Sequence, residues 1–479
     1  MLENQNANTQ KQSAYTLMPF SFELLSSGDY FLSGLAGDFA FLSKNDFYAL
    51  VSDSLVIGSK AFIELEAKKL ITRGKAAARM MTASALLSRK MFTFSGPRLH
   101  IAVMTRGCNS HCDYCHASSY SPGEKAPQMT IDIAKSVAKA IMSSPSREIT
   151  VEFQGGEPVL AWDTVRFMIE YMRMLNIKAA KQISFVLCTN LLMINQEMVE
   201  YISKRGIEVS TSLDGPADLH DRHRHFPLAS AHELFIKNLQ FLESETSKKA
   251  SPLLTVTRTN LFQLRRVIDH YIELGRNGIF IRPLNLFGRA ALDNTLGYSA
   301  EEFIEAYIDA LEYILEINKR GIEFREFMAA LLLRRILTPF DDGFVDLKFP
   351  AGAGLSVLVY DVNGDVYPSD EARMMAASGD TRLKMGNVQQ MSLKDIRNSE
   401  IARSIFKSSI PWLIPGCSSC PYSPYCGVDP IRVYSEIGDF MPFSESSECQ
   451  KNRTILRWLF DKLRKADQNT ERILYSWIA

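Results

Sequence analysis

The sequence predicts an α/β protein built on a partial (β/α)6 barrel, with an open doubly wound sheet as the other arrangement. Three observations lead there. From about residue 98, short β-branched runs alternate with amphipathic stretches, as a helix-covered parallel sheet requires. The unusual motifs of this region all fall where strands end, and barrels place their chemistry at C-terminal strand ends. Seven of the eight cysteines lie in two groups, one after the first of these strands and one near the chain end.

The elements follow in order. MLENQNANTQKQSAY is polar, lacks the basic-then-apolar plan of a secretion signal, and makes 1–15 an expected disordered tail. Within 16–95, MPFSFELL, GDYFLSG and DFAFLS look like short strands, and NDFYALVSDSL and SKAFIELEAKKLI like amphipathic helices, together a small β-meander and helix module. The barrel occupies 96–320. RLHIAVMTRG is a strand, TIDIAKSVAKAIMSS a helix, EITVEFQGG a strand and DTVRFMIEYMRML a helix. QISFVLCTN, IEVSTSLDG, PLLTVTRTN and GIFIRPLN continue the strand series. In the extension, 321–479, LSVLVYDVNGDVYP is a hairpin whose Asn363-Gly364 pair suits a type I′ turn. A cysteine-rich tail comes last.

Charge and composition exclude several functions. Lys+Arg and Asp+Glu balance at 54 each, so no basic excess argues for nucleic acid. No apolar run reaches the ~18 residues of a membrane helix. A cytoplasmic location is expected, where thiols stay reduced and clustered cysteines serve metals rather than disulfides. Cys188, alone in FVLCTN, is expected to be a buried core thiol.

RGCNSHCDYC, 106–115, sets Cys108, Cys112 and Cys115 on one short loop. Structural zinc with His111 or His116 is one reading, but closed zinc sites usually pair ligands across a longer loop. The other is an iron–sulfur cluster on three thiolates with one iron open to a substrate or cofactor. Tyr114, just before the last cysteine, is placed to pack against a planar cofactor.

These residues resemble a known family. CNSHCDYC looks like the cluster loop of radical S-adenosylmethionine enzymes, and QGGEP, 154–158, like their second motif. The resemblance implies a [4Fe–4S] cluster on the three cysteines, with S-adenosylmethionine chelating the open iron. It implies that Gly155, Gly156 and Glu157 meet the cofactor's amino group, since glycines admit close backbone approach. Thr189-Asn190 and SLDGP followed by HDRHR match the third and fourth strand ends of the family, so Asn190, Ser212 and Arg224 join the expected cofactor contacts. His223 and His225 are expected in a solvated loop. The implied chemistry is the cofactor's own: hydrogen-atom abstraction by a 5′-deoxyadenosyl radical.

CSSCPYSPYC, 417–426, with Cys449 resembles the SPASM extension, which normally carries seven cysteines for two auxiliary clusters. Here Ala351, Ser369 and Pro430 stand at three of those positions, all of the first site. Cys417, Cys420, Cys426 and Cys449 make up the second, so one auxiliary [4Fe–4S] cluster is expected, with a zinc ribbon as the alternative. The resemblance extends over nearly the whole chain to the B component of radical maturases of the His-Xaa-Ser repeat peptide system. It implies a ribosomally made precursor peptide whose leader binds the N-terminal module by strand addition. A second radical maturase as partner follows from the same resemblance, and an electron donor such as ferredoxin or flavodoxin is expected. A non-catalytic binding and electron-transfer subunit and a sulfatase-type maturase are the alternatives. Asp370 matches the position of an acidic residue that takes a proton from the substrate radical in sulfatase maturases. Its competing reading is a surface Asp beside Glu371.

Overall fold

A computed structural model describes residues 15–90, 92–339, 343–348, 350–440 and 446–478. The expected disordered tail thus lies outside the described residues except for Tyr15. Tyr15 is 4% exposed and its hydroxyl donates to the Leu50 carbonyl at 3.1 Å, so the ordered module begins one residue earlier than expected.

The core is one nine-stranded sheet. Leu99–Thr105, Glu148–Gly155, Gln182–Cys188, Glu208–Ser212, Ser251–Thr255 and Ile281–Arg282 run parallel and in sequence order. Sequential order has no switch point, so the winding is that of a barrel segment and not of a doubly wound sheet. The last predicted strand, GIFIRPLN, is split: Gly278–Ile279 pairs with Arg325–Glu326, and only Ile281–Arg282 joins the main sheet. Helices Ile131–Met142, Trp162–Ala179, Gln196–Arg205, Ala231–Thr246 and Leu264–Glu273 alternate with the strands. Thr130, Asn195 and Ser230 cap three of them by accepting a third-residue N–H, which is why those helices start there.

The first strand is buried on both faces. Ala102 and Met104 join the main core with the barrel helices, whereas Ile101 and Val103 pack against Val357, Val359 and Ile431 of the extension. The reason is topological. Val357–Tyr360 lies parallel to the first strand, so the extension continues the barrel sheet. Its hairpin partner is Asp365–Tyr367, but the turn is not type I′. Gly364 donates to the Asp361 carbonyl at 2.9 Å and has φ +82°, while Asn363 is not in the left-handed region. That is a three-residue loop with its left-handed residue at Gly364.

The N-terminal meander, Phe20–Leu24, Tyr30–Gly34 and Phe39–Leu42, is antiparallel throughout. Its side chains alternate between two partners, as strand geometry dictates. Leu32, Ala40 and Leu42 face the module's own helices with Phe47, Leu50 and Phe62. Phe31 and Phe39 face the cysteine-rich tail, where Phe31 meets Phe460 at 4.1 Å and Tyr422 at 5.5 Å between ring centroids. Ser33 donates to the Pro421 carbonyl at 2.5 Å, and Tyr425 to the Gly37 carbonyl at 3.0 Å. Outer ion pairs of Glu23 with Arg453 and Arg457, and of Asp29 with Arg464, border this contact.

Phe31 is fully buried at that junction. Phe31→Ala is expected to cost about 3–5 kcal/mol, the usual range for emptying a buried aromatic site. Denaturant unfolding followed by tryptophan fluorescence measures it, and a cost below about 1 kcal/mol would show that the module and tail do not share a core.

Candidate cluster and cofactor site

The loop that carries the first three cysteines begins where the first strand ends, and almost all of its backbone is held by other segments. The second strand ends in Gly155-Gly156, pressed against it: Gly156 N–H donates to Thr105 and Glu157 N–H to Gly107, each at 2.8 Å. A Cβ on Gly155 would lie 2.2 Å from the Thr105 carbonyl oxygen, and one on Gly156 2.1 Å from that of Gly107. The glycine pair is therefore required by backbone meeting backbone, beside any approach to a cofactor. Arg106 forms a buried ion pair with Asp361 of the extension hairpin. His111–Cys112 pairs antiparallel with Arg224–His225.

That pairing overturns one expectation. His223 is not solvated: it is 8% exposed and its Nδ1 lies 3.1 Å from the Asp113 carboxylate, whereas His225, 2.9 Å from the same carboxylate, keeps an exposed ring. Asp113 N–H also donates to the His223 carbonyl at 3.0 Å. The HDRHRH segment is a second backing for the cysteine loop.

The three cysteines open onto a cavity of about 460 Å³ inside the barrel mouth. Gly155, Gly156, Asn190, Ser212, Arg224 and Tyr114 all border it, so the structure brings these expected contacts together with Cys108, Cys112 and Cys115. Glu157 is the exception. It is 1% exposed and turned beneath the glycine ledge, where it accepts from Val159 N–H at 3.2 Å and Asn190 N–H at 2.8 Å. The orphan donors of the short helix Pro158–Ala161 attract the carboxylate there. Burial pushes its pKa up to about 7, against hydrogen bonds that lower it.

Tyr114 is anchored as well as cavity-facing. Its hydroxyl donates to Asp214, and the Arg224 guanidinium sits 5.2 Å from the ring centroid. Arg224 Nε lies 2.7 Å from the same Asp214, whose side chain is 2% exposed. Burial raises the Asp214 pKa most, but Arg224, His220 and the Tyr114 hydroxyl together outweigh it and hold the carboxyl below its ordinary value. Removing one partner of a buried pair typically costs several kcal/mol, so Arg224 is structural as well as placed for contact.

Cys188, expected in the core, borders the cavity instead, near Glu152. Glu152 and Gln154 on the second strand and Ser210 and Ser212 on the fourth point inward at two-residue spacing. Their pattern, polar at every second position of strands covered by helices, is the sequence signal that marks a lined interior. Asp370 also borders the cavity and accepts from Arg373 at 3.1 Å. It is therefore a cavity residue, not a surface Asp. Three cysteines of one loop lining a single cavity, with a glycine ledge beside them, fit a cluster with a polar cofactor next to it.

The other four cysteines form a separate group that does not border the cavity. Cys417, Cys420 and Cys426 lie on one loop, and Cys449 in the first turn of Ser447–Lys465. They are close enough to feel one another: burial first, then Cys449 and Cys420, push the Cys417 thiol up to about 11. Buried thiolates set this close would repel one another, and a metal centre that binds them offsets that repulsion. Among the described residues, no three His, Cys, Asp or Glu side chains converge as a ready single-ion site. The positions without cysteine are filled: Ala351 is 3% exposed in an apolar cluster with Ile431 and Tyr434, Ser369 caps Asp370–Ala377, and Pro430 opens Pro430–Ile437. No room for a peptide remains around Ala351. The open volume lies further out, in a groove of about 990 Å³ between residues 283–303 and the helices Asp370–Ala377 and Pro430–Ile437.

Residues 102–234 match the radical SAM superfamily, and 353–421 match SPASM, an iron–sulfur cluster-binding domain. The chain thus carries a radical SAM domain followed by a SPASM domain, and its cofactors are S-adenosylmethionine, a [4Fe–4S] cluster and auxiliary iron–sulfur. A cysteine-type anaerobic sulfatase-maturating enzyme of Clostridium perfringens is 23% identical over 393 residues, 76% of this chain and 96% of the relative. The structure of anSMEcpe with bound AdoMet and Kp18Cys peptide matches at TM-score 0.63 and 20% identity, over 77% of this chain and 98% of that one. Streptococcus suis SuiB bound to precursor peptide SuiA matches at TM-score 0.55 and 16% identity, over 91% and 100%. No described helix is long and apolar enough to cross a membrane.

Full occupancy of both cysteine groups predicts about eight irons per chain, at four per cluster. Cys417→Ala/Cys420→Ala should lower the count to about four. Anaerobic purification with iron and zinc analysis decides it, and near-stoichiometric zinc with only four irons would assign the tail to zinc.

Proposed function

We propose that this protein is a radical S-adenosylmethionine enzyme that modifies a ribosomally made precursor peptide. The observation that carries the reading is the composite cavity. Three thiols of the barrel loop face it from one side, and Asp370 of the extension from another. It adjoins the larger groove, with which it shares Pro283 and Asn285. A single small molecule fills a few hundred Å³. The additional volume suits a peptide segment threading past one reacting residue.

The cluster and S-adenosylmethionine together supply, when bound, a 5′-deoxyadenosyl radical that abstracts a hydrogen atom. The protein's residues do the rest. Cys108, Cys112 and Cys115 would hold the cluster, while Gly155, Gly156, Asn190, Ser212 and Arg224 would orient the cofactor. Tyr114 works through Asp214 and Arg224, and Glu157 holds the Asn190 backbone from below. Asp370 Oδ1, tied to the Arg373 guanidinium, is placed to accept a proton from the substrate. The half-closed barrel mouth limits water around the reacting atoms.

The N-terminal module would recognise the leader. Phe20–Leu24 and Phe39–Leu42 each pair on one side only within the three-stranded sheet, so each leaves an edge for strand addition. The likeness to SuiB, a protein seen with its precursor, covers 91% of this chain against 77% for anSMEcpe, which favours a peptide maturase with an added recognition module. The finer assignment within this reading is a His-Xaa-Ser repeat precursor, a second radical maturase as partner, and ferredoxin or flavodoxin as reductant. The sulfatase-type alternative is favoured by one observation, the anSMEcpe likeness spanning 98% of that enzyme. Mass spectrometry separates the two: a sulfatase-derived peptide would gain formylglycine, a repeat precursor a different mass change.

Two outcomes test the roles. Reconstituted protein with a reductant should produce 5′-deoxyadenosine, and the triple variant Cys108→Ala/Cys112→Ala/Cys115→Ala should produce none. Continued formation in the triple variant would sink the cluster assignment, and absence from the native protein would favour a non-catalytic binding subunit. Asp370→Asn should still form deoxyadenosine yet lose the modified product by roughly a hundredfold or more, the usual range for a general base. Full product yield would remove Asp370 from the reaction.

A further inference from the structure

One segment outside the recognised motifs bonds directly to the backbone of the cysteine loop. After the sixth strand, residues 283–292 turn back over the barrel mouth and form the short helix Gly288–Ala291. Arg289 N–H donates to the Cys115 carbonyl at 3.0 Å, and its Nε to the Cys112 carbonyl, also at 3.0 Å. Nη1 donates to the Ser119 carbonyl at 2.8 Å. Ser119 Oγ in turn lies 3.3 Å from Cys115 Sγ. One arginine thus fixes two cysteine peptide units and the residue that touches a thiol.

Gly288 makes the approach possible. It has φ +56°, and a Cβ there would lie 2.7 Å from the carbonyl oxygens of both Cys115 and His116. The segment is anchored by Ala290, 1% exposed, which packs with Tyr114, Leu284 and Leu296. Its other side faces the outer groove, where Leu292 is 85% exposed. A loop whose only task was to cover the barrel would not need a multi-donor cation turned inward onto carbonyl groups. Two directed bonds from the planar guanidinium fork, to the Cys112 and Ser119 carbonyls, fix orientation as well as distance, and the backbone N–H adds the third, to Cys115.

We propose that Arg289, seated by Gly288, is the positioning residue of the cysteine loop: it sets where Cys112 and Cys115 stand in the cavity and thereby the affinity of the site for S-adenosylmethionine. It does not border the cofactor cavity, on which it acts through the loop, and it also lines the outer groove. Partners of this outer kind orient ligands and tune the centre they hold. Because the same segment walls the groove, the cysteine loop and the groove bear on one element.

The test uses full-length protein with Arg289→Ala or Arg289→Lys, reconstituted anaerobically. Iron per chain, binding of S-adenosylmethionine alone by equilibrium dialysis, and electron paramagnetic resonance of the reduced clusters with and without it are measured. Arg289→Ala should keep its tail iron while the Kd for S-adenosylmethionine rises roughly tenfold to a hundredfold. The spectral change that the cofactor induces should shrink with it, and Arg289→Lys, which keeps the charge but not the fork, should recover only part. Loss of core iron alone, with tail iron retained, also supports the clamp. Native affinity and native spectra in both variants overturn the proposal, as does loss of core and tail iron together in both, which would make Arg289 a general folding residue.

Discussion

The structure depends on holding one irregular loop still. Residues 106–115 carry three cysteines whose thiols must face the same space, yet only His111–Cys112 has strand pairing. Ordering each residue costs about 1–2 kcal/mol of backbone entropy, and a single hydrogen bond returns only about 1. No single contact could hold such a loop. It is instead gripped by several segments: the stretch 120–127, bonded to the Arg106 and Cys108 backbone, the glycine ledge after the second strand, the HDRHRH segment after the fourth, Arg289 after the sixth, and Asp361 of the extension. The barrel places all but the last at one mouth, because parallel strands in sequence order bring their C-terminal ends together.

The strands and the cysteine chemistry were legible in the sequence because they rest on local patterns. β-branched runs mark strands, and three close thiols demand a metal centre. What escaped was set by tertiary partners. Glu157 is spoken for by Val159 and Asn190 amides, which no spacing rule reveals. His223 looked solvated because HDRHRH is polar, but Asp113 and Thr259 satisfy both of its ring nitrogens. Cys188 looked like core because its neighbours are apolar, though strand alternation puts it on the inward face with Glu152's side of the barrel. The turn at Asn363-Gly364 differed because backbone geometry placed only Gly364 at positive φ.

The two cysteine groups sit in different surroundings. The first lines an open cavity. The second lies against the N-terminal meander, whose Phe31 packs with Tyr422 from the middle of the cysteine loop. Covering a cluster-bearing loop with aromatic rings lowers its exposure to water, one of the levers that sets a cluster's potential. It also means that the N-terminal module is not a detachable accessory. Deleting it would bare Tyr422 and Phe460, both nearly inaccessible to solvent, beside the tail cysteines.

The same reasoning joins the extension to the barrel. A barrel cut off at residue 320 would lose the strand paired with Leu99–Thr105 and leave that edge bare. It would leave Arg106 without Asp361, next to the first cysteine, and Ile101 and Val103 without their apolar cover. It would also remove Asp370, which Arg373 holds at 3.1 Å, from the wall facing the thiols. The cavity is therefore not a barrel site to which a tail was added. Its floor belongs to one region and part of its wall to the other, so a substrate bound there contacts both and holds the two together.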